Sequence, residues 1–253
     1  MLQKLILGVV LVFVSSSAWA RPVAVFSGGF GSCLVNGDTA EMLISEHIDT
    51  LMTQIAASTH QTPIQIRTCF AIGSDTIYVS APELDIESQA LTLDEFHDVV
   101  KQAARLGGQG APFYLWGFSH GGWVVMNLVS EIKGLNYRVL TTNDPISVYS
   151  CNAFSFVPSV FTGPEEGCLE PPMDLESKFP VIASRVKSWI NWYQSEFPLL
   201  HSGIIPNATE NNLRVMDASW WTFTGAHGMI VQDPFVWEAT ARAIIGDLRL
   251  TAH

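Results

Sequence analysis

YLWGFSHGGWVV, residues 114 to 125, runs apolar into Gly117, sets Ser119 between that glycine and Gly121, and turns apolar again. A buried strand that reverses sharply into a helix needs residues without side chains on both sides of the turn, because a Cβ there collides with neighbouring backbone. The pattern predicts a strand, a tight turn with Ser119 at its tip, and a helix. This is the geometry of a nucleophile elbow. The helix N-terminus puts partial positive charge behind the serine, and the backbone N–H of His120 faces a developing oxyanion. The spacing G-x-S-x-G alone is a weak signal in a chain with 19 glycines, and a glycine-rich turn with an incidental serine is the bland reading. The apolar run before it and the helical pattern after it favour the elbow.

Outward from this stretch, PFYLWGF (112–118) reads as a continuous buried strand, Trp123 to Lys133 as a helix closed by Gly134, and YRVLTTN (137–143) as the next strand. Upstream, PVAVF (22–26) is a short buried strand that empties into the glycine loop SGGFGS. Asp38 or Thr39 can cap a helix carrying Met42, Ile44, Ile48, Leu51 and Ile55. IQIRTCFAI (64–72) and TIYVS (76–80) read as strands. Thr92 and Glu95 form a capping box for a helix running to about Leu106, stopped by Gly107 and Gly108.

Downstream, 144–179 mixes Pro, Gly and aromatic residues and reads as an excursion over the sheet edge. VIASRVKSWINWY (181–193) holds a helix, a strand or both. LRVMDA (213–218) is a last strand and PFVWEATARAIIGDL (234–248) a closing amphipathic helix. Alternation of this kind predicts an α/β fold, a mostly parallel central sheet with helices on both faces.

Residues 1–20 read as a secretory signal peptide: Lys4, the apolar run LILGVVLVFV, then SSSAWA with Ala18 and Ala20 as a small-residue cleavage site before Arg21. The apolar run is too short to span a bilayer, so no stable membrane span is expected after cleavage. Residues 21–253 then form a single domain, secreted or periplasmic. The chain has 13 Lys and Arg against 24 Asp and Glu, a net charge of −11, which argues against nucleic acid as a partner. Four cysteines in an oxidising compartment point to two disulfides. Cys151 and Cys168 bracket one loop, Cys33 and Cys69 each follow a strand-like run, and these two pairings are expected. A zinc site is the alternative, without a C-x-x-C or a nearby histidine in the sequence to support it.

A serine nucleophile needs a base and an acid from elsewhere in the chain. His120 is poorly placed as the base, because adjacent side chains at an elbow point apart and its useful group is the amide. By position, His201, His227 and His253 are the candidates. His227, in the small-residue stretch TGAHGMI before the closing helix, is preferred. Asp144 ends the strand after the elbow helix, at the edge where parallel sheets gather site residues. Asp217, ten residues before His227, is the alternative acid, and a turn-forming Asp-Pro is the bland reading of Asp144. Gly28, Gly29 and Gly31 let backbone amides of Gly29 or Phe30 approach as a second oxyanion donor. No phosphate-binding glycine motif and no HExxH is present, so neither a nucleotide nor a metal is expected.

GFSHGG, SGGFGS, NDP after the next strand and GAHGM near the end together resemble the α/β-hydrolase family over nearly all of residues 21–253. An aspartate directly after the strand that follows the elbow is similar to the arrangement in some lipases, whereas most of the family place the acid one strand later. The resemblance implies a Ser119–His227–Asp144 triad without a cofactor, acting on a small-molecule or lipid ester. Aromatic and apolar residues at Tyr149, Phe154, Phe156, Val160, Phe161, Trp220, Trp221 and Phe223 suit an acyl chain, or simply pack the core. A non-catalytic binding protein on the same scaffold, and a peptidase or acyltransferase with the same machinery, stay open.

Overall fold

The computed structural model describes residues 20–36, 39–42, 45–71, 76–147, 149, 151, 168–196, 200–216 and 225–251. Residues 1–19 of the expected leader, the possible cap Asp38, the rim residues Phe154, Phe156, Val160, Phe161, Trp220, Trp221 and Phe223, the alternative acid Asp217 and His253 lie outside them. In chain order the strands are β1 (Val23–Phe30), β2 (Cys33–Asn36), β3 (Thr39–Met42), β4 (Ile64–Phe70), β5 (Ile77–Ala81), β6 (Ile86–Leu91), β7 (Pro112–Phe118), β8 (Asn136–Asn143), β9 (Val186–Tyr193) and β10 (Glu210–Leu213). The helices are α1 (Ser45–Thr59), α2 (Leu93–Gly107), α3 (His120–Glu131), α4 (Phe179–Arg185), α5 (Gly225–Ile230) and α6 (Pro234–Thr251).

Among the described residues, eight strands form one sheet in the order β10-β9-β8-β7-β1-β4-β5-β6. Pairings from β10 across to β4 are parallel, and β5 and β6 extend the sheet antiparallel. The fold is α/β with a mostly parallel sheet. Both faces are covered because the central strands are apolar at every position rather than every second one. Val23, Val25, Phe113 and Leu115 pack with residues of α2, α3 and α4, while Ala24, Phe26, Tyr114 and Trp116 pack with α1 and α6. On the second face the Trp116 and Trp237 rings stack at 4.7 Å, and His47 of α1 stacks on Trp237 at 5.3 Å.

Asp247 fastens α6 to the sheet. Its buried carboxylate accepts hydrogen bonds from Arg138 Nη2 and Nε (2.7 and 2.9 Å), Lys187 Nζ (2.7 Å) and the Tyr114 hydroxyl (3.1 Å). Burial opposes its charge, but these donors outweigh it and hold the carboxyl below its ordinary pKa.

Two disulfides, Cys33–Cys69 and Cys151–Cys168, are present with the expected pairing. The Thr92–Glu95 capping box starts α2. Other expectations change. Thr39 caps no helix: it lies in β3, paired antiparallel with β2, and α1 begins only at Ser45. Met42 likewise lies in β3 rather than in a helix, and Ile44 lies outside the described residues. β6 has exposed polar residues alternating with partly buried ones and carries little apolar signal. The segment 181–193 holds both elements, α4 passing directly into β9. Among the described residues the last strand is Glu210–Leu213; 214–216 of the expected 213–218 are not strand, and 217–218 lie outside the described residues. Asn211 at this edge trades hydrogen bonds with both backbone groups of Ile205 and with Asn191, supplying the order that apolar burial supplies elsewhere.

Candidate active site

β7 ends at Phe118, and Ser119 adopts φ 56°, ψ −128° before α3 begins. A positive φ in a residue with a Cβ costs on the order of 1–3 kcal/mol and persists only where the surroundings impose it. Here the Ser119 N–H donates to the Asn143 carbonyl (3.0 Å), and the Ser119 carbonyl accepts from Gly122 (2.9 Å) and Ile146 (3.2 Å). A Cβ on Gly121 would collide with the Ser27 carbonyl, so this position requires glycine for α3 to reach β1. Ser119 occupies the N-cap position without making a side-chain cap. Its Oγ lies instead 2.9 Å from His227 Nε2.

His227 Nδ1 lies 2.7 Å from Asp144 Oδ2. An ionised carboxylate only accepts, so the proton sits on Nδ1, leaving Nε2 to accept from the Ser119 hydroxyl. Ser119, His227 and Asp144 are all buried. His227 sits in the short helix α5 rather than in a loop, its ring 4.9 Å from that of Phe118. His201 is not drawn into this chain: its Nδ1 donates to the Ser202 carbonyl at 2.7 Å.

The carboxylate of Asp144 is fully buried, which is tolerable only with several donors. Oδ1 accepts from the backbone N–H of Ser202 (2.7 Å) and, at 3.4 Å, of Gln194. Oδ2 accepts from Gln194 Nε2 at 2.7 Å as well as from His227. Gln194 did not stand out in the sequence. Its one signal was a polar residue just past the apolar strand end WINWY, beside the strand that delivers Asp144.

On the other side of Ser119, β1 continues through SGGF instead of ending at Phe26. Its register with β4 passes from Ser27↔Thr68 to Phe30↔Phe70, so Gly28 and Gly29 together oppose Cys69 in a β-bulge. A Cβ on Gly29 would lie 2.5 Å from Ser119 Cβ and 2.9 Å from its Oγ. Gly29 therefore lies directly against the serine, with Phe30 following it. His120 leads α3, so its N–H has no acceptor within the helix. Its ring stacks between Phe30 (4.9 Å) and Trp123 (5.1 Å), which ties the bulge to the elbow. Burial pushes the His120 pKa down to about 3, so the ring is neutral.

Among the described residues no group of three His, Cys, Asp or Glu side chains could hold a metal, and no helix is long and apolar enough to cross a membrane. No family model and no curated protein matches the sequence. Among solved structures, the chain is similar to a candidate hydrolase from Agrobacterium vitis S4, at 15% identity and a TM-score of 0.45, covering 90% of this chain and 88% of that one. It is also similar to the lin2722 gene product of Listeria innocua, at 12% identity and a TM-score of 0.43, covering 88% and 93%.

Proposed function

We propose that this protein is an exported serine hydrolase that cleaves carboxylic esters, with Ser119 as nucleophile, His227 as base and Asp144 as the orienting acid. One observation carries the reading: the unbroken hydrogen-bonded chain from Ser119 Oγ through both nitrogens of His227 to Asp144, starting at a strained strand-to-helix turn. Ser119 Oγ attacks the ester carbonyl carbon while its proton passes to His227 Nε2. The carbonyl oxygen becomes an oxyanion facing the amide of His120 and that of Gly29 or Phe30. When the tetrahedral intermediate collapses, imidazolium returns the proton to the departing alcohol and an acyl-serine remains. Water, deprotonated by His227, hydrolyses it, and Asp144 balances the imidazolium charge in both halves. No cofactor enters this scheme.

The exposed Tyr149 supports an apolar substrate, since its ring lies 5.1 Å from Trp123 and 6.1 Å from His120, beside the proposed oxyanion amide. The two disulfides support maturation in an oxidising compartment. The test is labelling with a fluorophosphonate, followed by a panel of p-nitrophenyl esters of increasing acyl length. The parent protein should label and hydrolyse, and Ser119→Ala should do neither while keeping its circular dichroism. Undiminished labelling of Ser119→Ala would sink the assignment.

A further inference from the structure

We infer that Gln194 is a positioning residue for the acid, fixing the Asp144 carboxylate in the one orientation that serves His227. The inference rests on the serine-hydrolase reading above. Gln194 is the residue immediately after β9, and β9 pairs with β8 so that Trp192 faces Asn143. The Asp144 N–H donates to the Trp192 carbonyl at 2.7 Å, and the backbone of Asp144 takes a left-handed φ of 46°. Strand pairing thus delivers a glutamine side chain and a carboxylate to the same buried point of the sheet edge.

Gln194 is itself fully buried, a costly place for an amide unless its donors are used. Both are. Nε2 donates to Asp144 Oδ2 at 2.7 Å and to the Leu200 carbonyl at 3.0 Å. Turning the amide over would set oxygen against two acceptors, so its orientation is determined by its partners. Oδ2 is also the oxygen that holds His227 Nδ1. With Ser202 N–H on Oδ1, the carboxylate is held at both oxygens and cannot rotate about its Cβ–Cγ bond without breaking two hydrogen bonds. The imidazole then has a single approach to Oδ2. Without the amide, Oδ2 keeps only the histidine, and the backbone N–H groups on Oδ1 alone resist a turn of the pair away from Ser119.

Two variants separate positioning from packing. Gln194→Met keeps length and removes the donor. Gln194→Glu keeps shape and supplies a donor only while the introduced carboxyl is protonated. Among the described residues the ionisable groups to reckon with at that carboxyl are Asp144, His227 through Asp144, and, on the same 194–202 segment, His201 and the exposed Glu196. Second-order rates of fluorophosphonate labelling and kcat and KM for p-nitrophenyl butyrate are measured across pH on parent and variants.

Gln194→Met should lose about 10- to 100-fold in labelling rate and kcat, the weight of one hydrogen bond to an ion, with KM little changed. Gln194→Glu should approach the parent at low pH and fall progressively behind it as pH rises and two carboxylates face each other. Profiles of Gln194→Glu parallel to the parent's would overturn the inference, and this holds even if Gln194→Met fails to fold. A parent protein that never labels would instead refute the nucleophile assignment, a separate failure.

Discussion

The two flanks of Ser119 are built differently. On one flank, the proposed oxyanion side, glycines bring backbone against Ser119: the Gly28–Gly29 bulge of β1 meets the turn, and Cys33–Cys69 joins the chain just after the bulge to the very residue opposite it. On the other flank, Gln194 at the end of β9, the 200–202 segment and His227 of α5 supply the donors around the carboxylate of Asp144, the proposed acid. There Cys151–Cys168 joins the chain after Asp144 to Cys168, whose carbonyl accepts the His201 N–H beside Ser202. Steric exclusion of a Cβ makes the first flank, and satisfied charge makes the second. Substitutions that add volume should therefore damage one flank, and substitutions that remove donors or charge the other.

The largest effect is expected from Asp144→Asn, which leaves the shape of the acid flank but removes the charge that holds the His227 tautomer. Ester turnover should fall about 10⁴-fold with the fold retained, while Asp217→Asn should have a modest effect. Steady-state kinetics giving the reverse ranking would move the acid to Asp217. Next is Gly29→Ala, where the added methyl meets Ser119 Cβ at 2.5 Å. Displacing the oxyanion amides should cost about 10²- to 10³-fold in kcat, read alongside a cooperative urea transition; a fully active variant would mean that the bulge does not form the oxyanion site.

Replacing Cys151 and Cys168 by serine, which opens a loop with a sequence separation of 17, should lower unfolding free energy by about 3 kcal/mol. It should also slow labelling through the loosened acid flank. An unchanged urea midpoint would show that this disulfide does not stabilise the fold.

The smallest effect concerns pH. His120 is neutral when folded, with its pKa depressed from 6.5 to about 3 by burial. Its depressed value leaves stability whole above pH 6.5 and erodes it as pH falls, because only the unfolded chain takes up the proton. His120→Phe keeps an aromatic ring between Phe30 and Trp123. It should make the loss of stability below pH 6.5 shallower by about one proton, some 1.4 kcal/mol per pH unit, in urea titrations at stepped pH. An identical slope would place the proton uptake elsewhere.

The same contrast governs what could be read from the chain. The elbow was legible because steric demand writes itself as glycine beside an apolar strand, and β7 spans the expected 112–118. Asp144 and His227 were singled out by residue type and chain order, and the structure brings both into one hydrogen-bonded chain with Ser119. Gln194 was not, since a donor 50 residues from its carboxylate leaves no local pattern. In the fold, β2, β3 and β6 went unread. β6 alternates without an apolar face, and the β2–β3 hairpin sits where helix-like spacing masked it. β10 was displaced because side-chain hydrogen bonds of Asn211, not apolar residues, order that edge.

The Trp116–Trp237 stack joins β7, three residues before Ser119, to the closing helix α6. Two indoles at 4.7 Å are close enough for their electronic transitions to couple, so the pair should give an exciton signal in circular dichroism that neither ring gives alone. That signal exists only while α6 is docked. It turns the C-terminal helix into its own optical label, allowing its detachment to be followed separately from the chemistry at Ser119, in an untagged protein and without an added dye.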